Sequence, residues 1–187
     1  VAFVALFDAN VLYPAPLRDI LMRLAGTGLF RARWSGQIQA EWTNALLRTR
    51  PELAGQIERT CALMEAAVED CLVTGHEAII SQLQLPDPDD RHVLAAAIIG
   101  RADVIVTLNL RHFPPEVLAA YRIDAQHPDV FIRHVLDLNE PLALDAVRKQ
   151  RAGLRNPARS VEDFLDTLSR QELPETVAYL RSRADLI

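Results

Sequence analysis

Acidic side chains stand at three places in this chain where they can do more than solvate a surface. Asp8 closes the first hydrophobic run, Val-Ala-Phe-Val-Ala-Leu-Phe-Asp8-Ala-Asn10. Asp87, Asp89 and Asp90 crowd into the four residues Asp87-Pro-Asp-Asp90. Glu41 lies inside a helical stretch, one residue before the apolar Trp42. A carboxylate at the end of a buried strand is costly to desolvate unless something pairs with it, and a divalent cation is one such partner. A hard cation takes several oxygen ligands from neighbouring carboxylates, so metal binding is the chemistry these residue types suggest.

Each of these acids also has an ordinary reading. Asp87 is a good helix N-cap, Pro88 suits the first helical position, and Asp89 and Asp90 complement the helix dipole. Three acids are more than a cap requires. Glu41 reads equally as a solvated helical glutamate. His76, His92, His112, His127 and His134 show no metal-ligand spacing such as H-E-x-x-H. Neither a Gly-rich phosphate loop nor a G-x-S-x-G elbow is present.

The elements that must position these residues follow from periodicity. Residues 1–7 are short, apolar and rich in Val and Phe, as a buried strand requires. A helix at 17–24 repeats its apolar residues at helical spacing and ends at Gly26-Thr-Gly28. A short strand at 30–34 leads to Ser35, a candidate cap for a helix at 37–48. Pro51 opens a further helix, and 71–74 reads as a strand, while 77–85 fits neither template. A helix from Asp87 to about Gly100 precedes 104–107, a strand of the fully buried kind. A helix at 114–120, a weak strand at 122–125 and a helix at 128–137 complete the alternation.

Strands alternating with helices argue for a parallel sheet covered on both faces. In such sheets ligands sit outside the carboxyl ends of the strands. Asp8, Thr107 and Asn109 fall on that edge, and Asp87 to Asp90 reach it only if a loop carries them there. After residue 138 only helices remain, at 142–151, 161–170 and 174–183. The apolar set Val161, Phe164, Leu165 and Leu168 must pack on this domain or on a partner.

The chain has 187 residues, 50% hydrophobic and 24% charged, with a net charge of −5, so no global basic field advertises nucleic acid. Cys61 and Cys71 form no C-x-x-C pair, which speaks against a zinc knuckle or redox motif and for reduced thiols in the cytoplasm. The first apolar run is too short to span a bilayer. Lys149 is the only lysine; the other nineteen basic residues are arginine. The densest basic supply is Arg148, Lys149, Arg151, Arg155 and Arg159, with no acid between Asp145 and Glu162. It reads as a solvated face or as a strip contacting RNA or a partner.

The ordered set of motifs resembles the PIN domain, especially the ribonuclease toxins of VapC type. The matching features are the strand ending in Asp8-Ala-Asn10, then Ala40-Glu41-Trp42, then Asp89-Asp90-Arg-His-Val-Leu-Ala-Ala-Ala97, then Ala102-Asp-Val-Ile-Val-Thr107-Leu-Asn109-Leu-Arg-His-Phe113. The resemblance covers residues 3–137 and implies an α/β, three-layer PIN-like fold with a central parallel sheet flanked by helices. An all-helical C-terminal extension follows, giving domains at 1–137 and 138–187. By position, Asp8, Glu41 and Asp90 become the acidic active-site core. Asn109 stands where the family has Asp or Asn, and His112 where many members carry another acid.

What the resemblance implies is hydrolysis of RNA phosphodiester bonds with Mg²⁺ or Mn²⁺. Asp8 and Asp90 are then metal ligands, and Glu41 a ligand or the residue that positions water. Asp87 and Asp89 are further ligand candidates that compensate for the missing fourth carboxylate. Asn10 and Thr107 would hydrogen-bond behind the ligands. The implied partners are an RNA substrate and a cognate antitoxin, with a homodimer as in related toxins. A catalytically weak PIN fold that binds RNA or protein is the alternative. A dehalogenase-like phosphatase needs an acid where Asn10 stands, and both it and a receiver domain need a lysine that Lys149, outside the α/β region, does not supply.

Overall fold

The structure, a computed structural model, describes residues 2–187. Val1, which the sequence reading places in the first strand, lies outside them. Five short strands form one parallel sheet in the order β3-β2-β1-β4-β5. They are β1 (Val4–Phe7), β2 (Arg31–Ser35), β3 (Leu72–Val73), β4 (Val104–Val106) and β5 (Asp124–Gln126). The chain steps from β1 outwards to β3, then returns to the other side of β1 for β4. The strand order therefore reverses between β1 and β4, where open α/β sheets leave a crevice for ligands.

The helices within the sheet region are α1 (Ala9–Leu12), α2 (Ala15–Ala25), α3 (Gly36–Thr49), α4 (Ala54–Ala67), α5 (Arg91–Ile99) and α6 (Pro115–Leu118). Then come α7 (Pro128–Leu138), α8 (Glu140–Gly153), α9 (Val161–Ser169) and α10 (Pro174–Arg181). Ser35 caps α3 as its sequence position suggests, its Oγ accepting from the Ile38 N–H at 3.1 Å. Three expected helices begin or end in tighter turns. Pro51–Leu53 is 3₁₀ before α4, Pro88–Asp90 is 3₁₀ before α5, and Ala119–Tyr121 is 3₁₀ after α6. Residues His76–Gln82, which fit neither template, are also 3₁₀.

β1 is central, and Ala5, Leu6 and Phe7 are fully buried. Phe7, Phe30 and Phe131 form an edge-to-face cluster with ring centroids 5.0 to 6.2 Å apart. Each such ring contributes roughly 1.5–3 kcal/mol through burial. α5 is buried along His92–Ala97, and its run of alanines lets the sheet approach closely. Its C-cap, Gly100, has no room for a side chain: a Cβ there would lie 2.8 Å from the Ala96 carbonyl and 2.9 Å from Val73 Cγ2. The tail settles the sequence-level choice about its apolar face. Phe164, Leu165 and Leu168 are buried within this chain, where α9 packs on α2 and α10.

Candidate active site

Asp8 follows β1 and begins α1. Its backbone N–H donates to the Val106 carbonyl at 3.1 Å, which fastens it to the neighbouring strand. Only 4% of the residue is exposed. Three donors reach the carboxylate: the Ala9 N–H on Oδ1 at 2.7 Å, and the Asn10 amide and Thr107 hydroxyl on Oδ2, each at 2.8 Å. Thr107 Oγ1 in turn accepts from Asn10 Nδ2 at 3.1 Å and from the Asn109 N–H at 3.0 Å. Asn10 Oδ1 accepts from the Leu108 N–H at 3.0 Å. Asn10 and Thr107 thus lace the ends of β1 and β4 together and fix the Asp8 rotamer.

No lysine or arginine pairs with Asp8 among the described residues. Burial pushes its carboxyl up from 3.8 to about 6. The Thr107 and Ala9 hydrogen bonds pull it down, and the charges of Asp90 and Glu41 raise it further. A loop and the 3₁₀ turn after Asp87 do bring Asp90 to this edge.

Asp90 stands at the start of α5, where the helix dipole favours an acid. Its carboxyl is also raised by burial, against a lowering hydrogen bond from His112. His112 Nδ1 donates to Asp90 Oδ2 at 2.6 Å and lies 3.9 Å from Asp87 Oδ2. Asp87 caps its turn, Oδ1 accepting from the Asp89 N–H at 3.0 Å. The donor atoms of Asp87, Asp90 and His112 all lie within 4.8 Å of one another. Glu41, on α3, is 43% exposed, and its Oε1 lies 2.7 Å from His92 Nε2. His92 is 3% exposed, and its Nδ1 has no hydrogen-bond partner.

Two of the sequence candidates contribute differently. Asp89 is exposed and enters only through its backbone N–H. Asn109 is exposed and joins through its N–H rather than its side chain. His92 and His112 are the residues that sequence spacing passes over. Both pairings form between separate elements, so a same-helix pattern cannot register them. His92, directly before the apolar run 93–97 of α5, is the one available signal, since a buried imidazole needs a polar partner.

Converging carboxylates, two of them contacted by histidines and Asp8 by no lysine or arginine, form an oxygen-rich set that fits a hard divalent cation. Residues 4–111 match the family model described as "PIN domain". The chain belongs to the PIN-domain family. Residues 128–182 match a second model, described as "VapC50 C-terminal domain". The chain is also 42% identical over 92 residues to the protein named "Putative ribonuclease VapC50" of Mycobacterium tuberculosis (strain ATCC 25618 / H37Rv). That match takes in 49% of this chain and 54% of the relative, so the chain spans about half the length of the curated relative it matches. No solved structure matches.

Within this PIN fold the basic strip is not a single surface. Arg148 and Lys149 both turn to Asp145, the lysine at 2.7 Å. Arg151 donates to the Arg159 carbonyl at 3.0 Å, while Arg155 and Arg159 stay exposed between α8 and α9. None of the five bonds to the acid cluster among the described residues. A cavity of about 840 Å³ lies between α2, α4, α8 and α9 and contains none of the clustered acids. Chemistry here follows the carboxylates rather than the concavity. Among the described residues no helix is long and apolar enough to cross a membrane.

Proposed function

We propose that this PIN domain is a metal-dependent endoribonuclease, the toxin of a toxin–antitoxin pair. One observation carries the reading: Asp8, Asp90 and Glu41 meet at the strand-order reversal, with Asp8 desolvated and no lysine or arginine paired to it. The likeness to a relative named as a ribonuclease supports the substrate class. Asp8 and Asp90 would hold Mg²⁺ or Mn²⁺, with Asp87 as a further ligand and Glu41 as a ligand or the residue that orients water. A cation there lowers the pKa of bound water and offsets the charge that phosphoryl oxygens gather.

The chain's own part is positional. Asn10 and Thr107 hold the Asp8 carboxylate in one rotamer, as supporting hydrogen bonds do at metal sites. His92 aims Glu41, and His112, at the end of the 3₁₀ turn Leu110–His112, aims Asp90. Asn109, exposed beside Thr107, can donate to a phosphate oxygen. Arg155 and Arg159 are the strip residues free to meet an RNA backbone. The reading includes a cognate antitoxin, a homodimer and a reducing cytoplasmic setting, the last supported by the unpaired Cys61 and Cys71.

Cleavage of labelled RNA with and without Mn²⁺, mapped at nucleotide resolution, tests the proposal, with Asp8→Asn and Asp90→Asn alongside. Wild-type cleavage that needs the ion and vanishes in both variants is the expected result. Equal activity in wild type and Asp8→Asn would overturn it. A binding module without turnover is the second reading, favoured by the histidines already paired with Glu41 and Asp90. It predicts RNA retention with no cleavage under any divalent ion.

A further inference from the structure

We propose that His112 is a metal ligand, giving through Nδ1 a nitrogen donor that makes this site prefer Mn²⁺ to Mg²⁺. The inference rests on the nuclease reading only for the presence of a cation. Its substance is a chemical difference in the donor set.

The geometry comes first. His112 Nδ1 lies 2.6 Å from Asp90 Oδ2 and 3.9 Å from Asp87 Oδ2, and all three atoms lie within 4.8 Å of one another. In an octahedral shell with bonds of about 2.1 Å, adjacent donors stand about 3 Å apart and opposite donors about 4.2 Å apart. The two distances fall close to those values, so the three groups can face one cation after small rotamer changes. The side chains are 21% exposed for His112, 21% for Asp90 and 41% for Asp87, which leaves room for an ion and its waters. The turn is also anchored. Phe113, next to His112, is 1% exposed, and the His112 N–H donates to the Asn109 carbonyl at 2.9 Å.

The proton inventory is consistent. Arg111 Nε donates to His112 Nε2 at 3.3 Å, so Nδ1 carries the ring proton and donates it to Asp90. Ligation through Nδ1 moves that proton to Nε2, and Arg111, which is exposed, swings into solvent. The ring stays neutral, and the contact with Asp90 changes from a hydrogen bond to a shared ion.

The donor set then sets the preference. Mg²⁺ favours oxygen ligands in near-ideal octahedral geometry and gives up water reluctantly. Imidazole nitrogen suits first-row transition ions. Replacing a carboxylate by an imidazole removes one negative charge, which costs both ions, and adds a softer donor, which favours Mn²⁺ over Mg²⁺.

Pulsed EPR of Mn²⁺ bound to the full chain tests this directly. The wild type is expected to show nitrogen-14 modulation from a bound imidazole, and His112→Gln to lose it while still binding Mn²⁺. Calorimetric titrations should show the Mn²⁺-to-Mg²⁺ affinity ratio falling about tenfold or more in that variant. If that variant fails to fold, His112→Asn serves in its place, and a wild-type sample with nitrogen-15 histidine shows that the coupled nitrogen is an imidazole's. No nitrogen coupling in wild type, coupling that persists in His112→Gln, or an unchanged affinity ratio each overturns the proposal. Mn²⁺-dependent cleavage without nitrogen coupling would sink this inference and leave the nuclease reading standing. Coupling without cleavage would do the reverse.

Discussion

Acids at the sheet edge and acids in the C-terminal helices are treated in opposite ways. In α8 and α9 the acids Glu140, Asp145 and Asp163 each accept from side-chain donors. Glu140 accepts from the Tyr179 hydroxyl and the Arg183 guanidinium, which hold its carboxyl below the usual range. Asp145 is held down by Lys149 and Arg148, and Asp163 by the Ser160 hydroxyl and N–H contacts of its cap. At the edge the direction reverses: burial raises both Asp8 and Asp90, and neighbouring acids add to it. Burial is one half of the contrast, since Glu140, Asp145 and Asp163 lie in solvent while Asp8 does not; the other half is which donors reach them. Acids that serve the fold are neutralised where they stand, and acids left unneutralised mark a place prepared for something from outside.

The sharpest way to break this contrast is to remove one acid from each region. Asp8→Asn should lower metal-dependent RNA cleavage about 10³-fold or more, because the cation and its alignment are lost together. Asp145→Asn should leave cleavage within about twofold, since exposed ion pairs contribute little. Single-turnover rates with saturating Mn²⁺ decide between them. Comparable losses in both variants would end the division of labour.

A stability experiment inverts the ranking. Asp129, at the start of α7, is 5% exposed and accepts the Glu175 and Thr176 N–H groups, each at 2.8 Å, so it caps α10 across the helical layer. Asp129→Ala orphans both donors and should cost about 2–4 kcal/mol in urea unfolding. Cleavage per folded molecule should be unchanged. A loss of activity without a loss of stability would place Asp129 in the wrong class.

The raised carboxyl of Asp8 gives a pH signature that the neutralised acids lack. Its folded value of about 6 exceeds the ordinary 3.8, so the folded protein holds the extra proton between those values. Stability of the metal-free protein is therefore full below the ordinary value and is lost as pH rises through about 6, by about 3 kcal/mol from this group. Asp90, also raised, adds in the same direction. Bound Mn²⁺ relieves the same repulsion, so its thermal shift should be larger at about pH 7.5 than at about pH 5. A shift that does not grow with pH would mean the ion binds elsewhere.

How much of this contrast is visible in sequence depends on the range of the interaction. β4 is legible because three consecutive apolar β-branched residues suit burial on both faces of a sheet. α3 is legible because Ser35 is a local cap. The edge position of Asp8 follows from a buried strand followed by a helix. The 3₁₀ turns at Pro51 and Pro88 are less legible, because tertiary packing selects between two helical geometries with similar local signals. The pairs Glu41–His92 and Asp90–His112 are invisible, since nothing local requires helices or turns far apart in the chain to bring those rings to those acids. The arginine strip misleads for a related reason. Its acid-free window begins one residue after Asp145, which reaches forward one helical turn to Arg148 and Lys149.

His92 sharpens the comparison at an intermediate scale. It touches neither RNA nor ion in this reading, but its buried ring fixes Glu41 at 2.7 Å. His92→Phe keeps an aromatic ring of similar size and removes the donor. It should lower kcat by about 10–100-fold, the range seen when supporting groups around a metal site are lost, with little change in RNA affinity. An equal loss through KM would instead assign His92 to substrate binding or to packing.

The smallest effect separates two halves of one basic segment. Arg148 and Lys149 already have a carboxylate partner, whereas Arg155 and Arg159 lie exposed in the loop before α9. A group whose charge is locally cancelled releases few counterions on meeting a phosphate. Each uncancelled contact to a single strand should contribute about 0.7 to the salt slope of binding. The Arg155→Ala/Arg159→Ala double variant should therefore flatten the plot of log affinity against log salt by about 1.4. The Arg148→Ala/Lys149→Ala double variant should shift that slope by less than about half a unit, because Asp145 is freed as the cations are removed. If both double variants flatten the slope equally, Asp145 does not cancel its neighbours in the complex, and the C-terminal acids are less settled than their paired geometry implies.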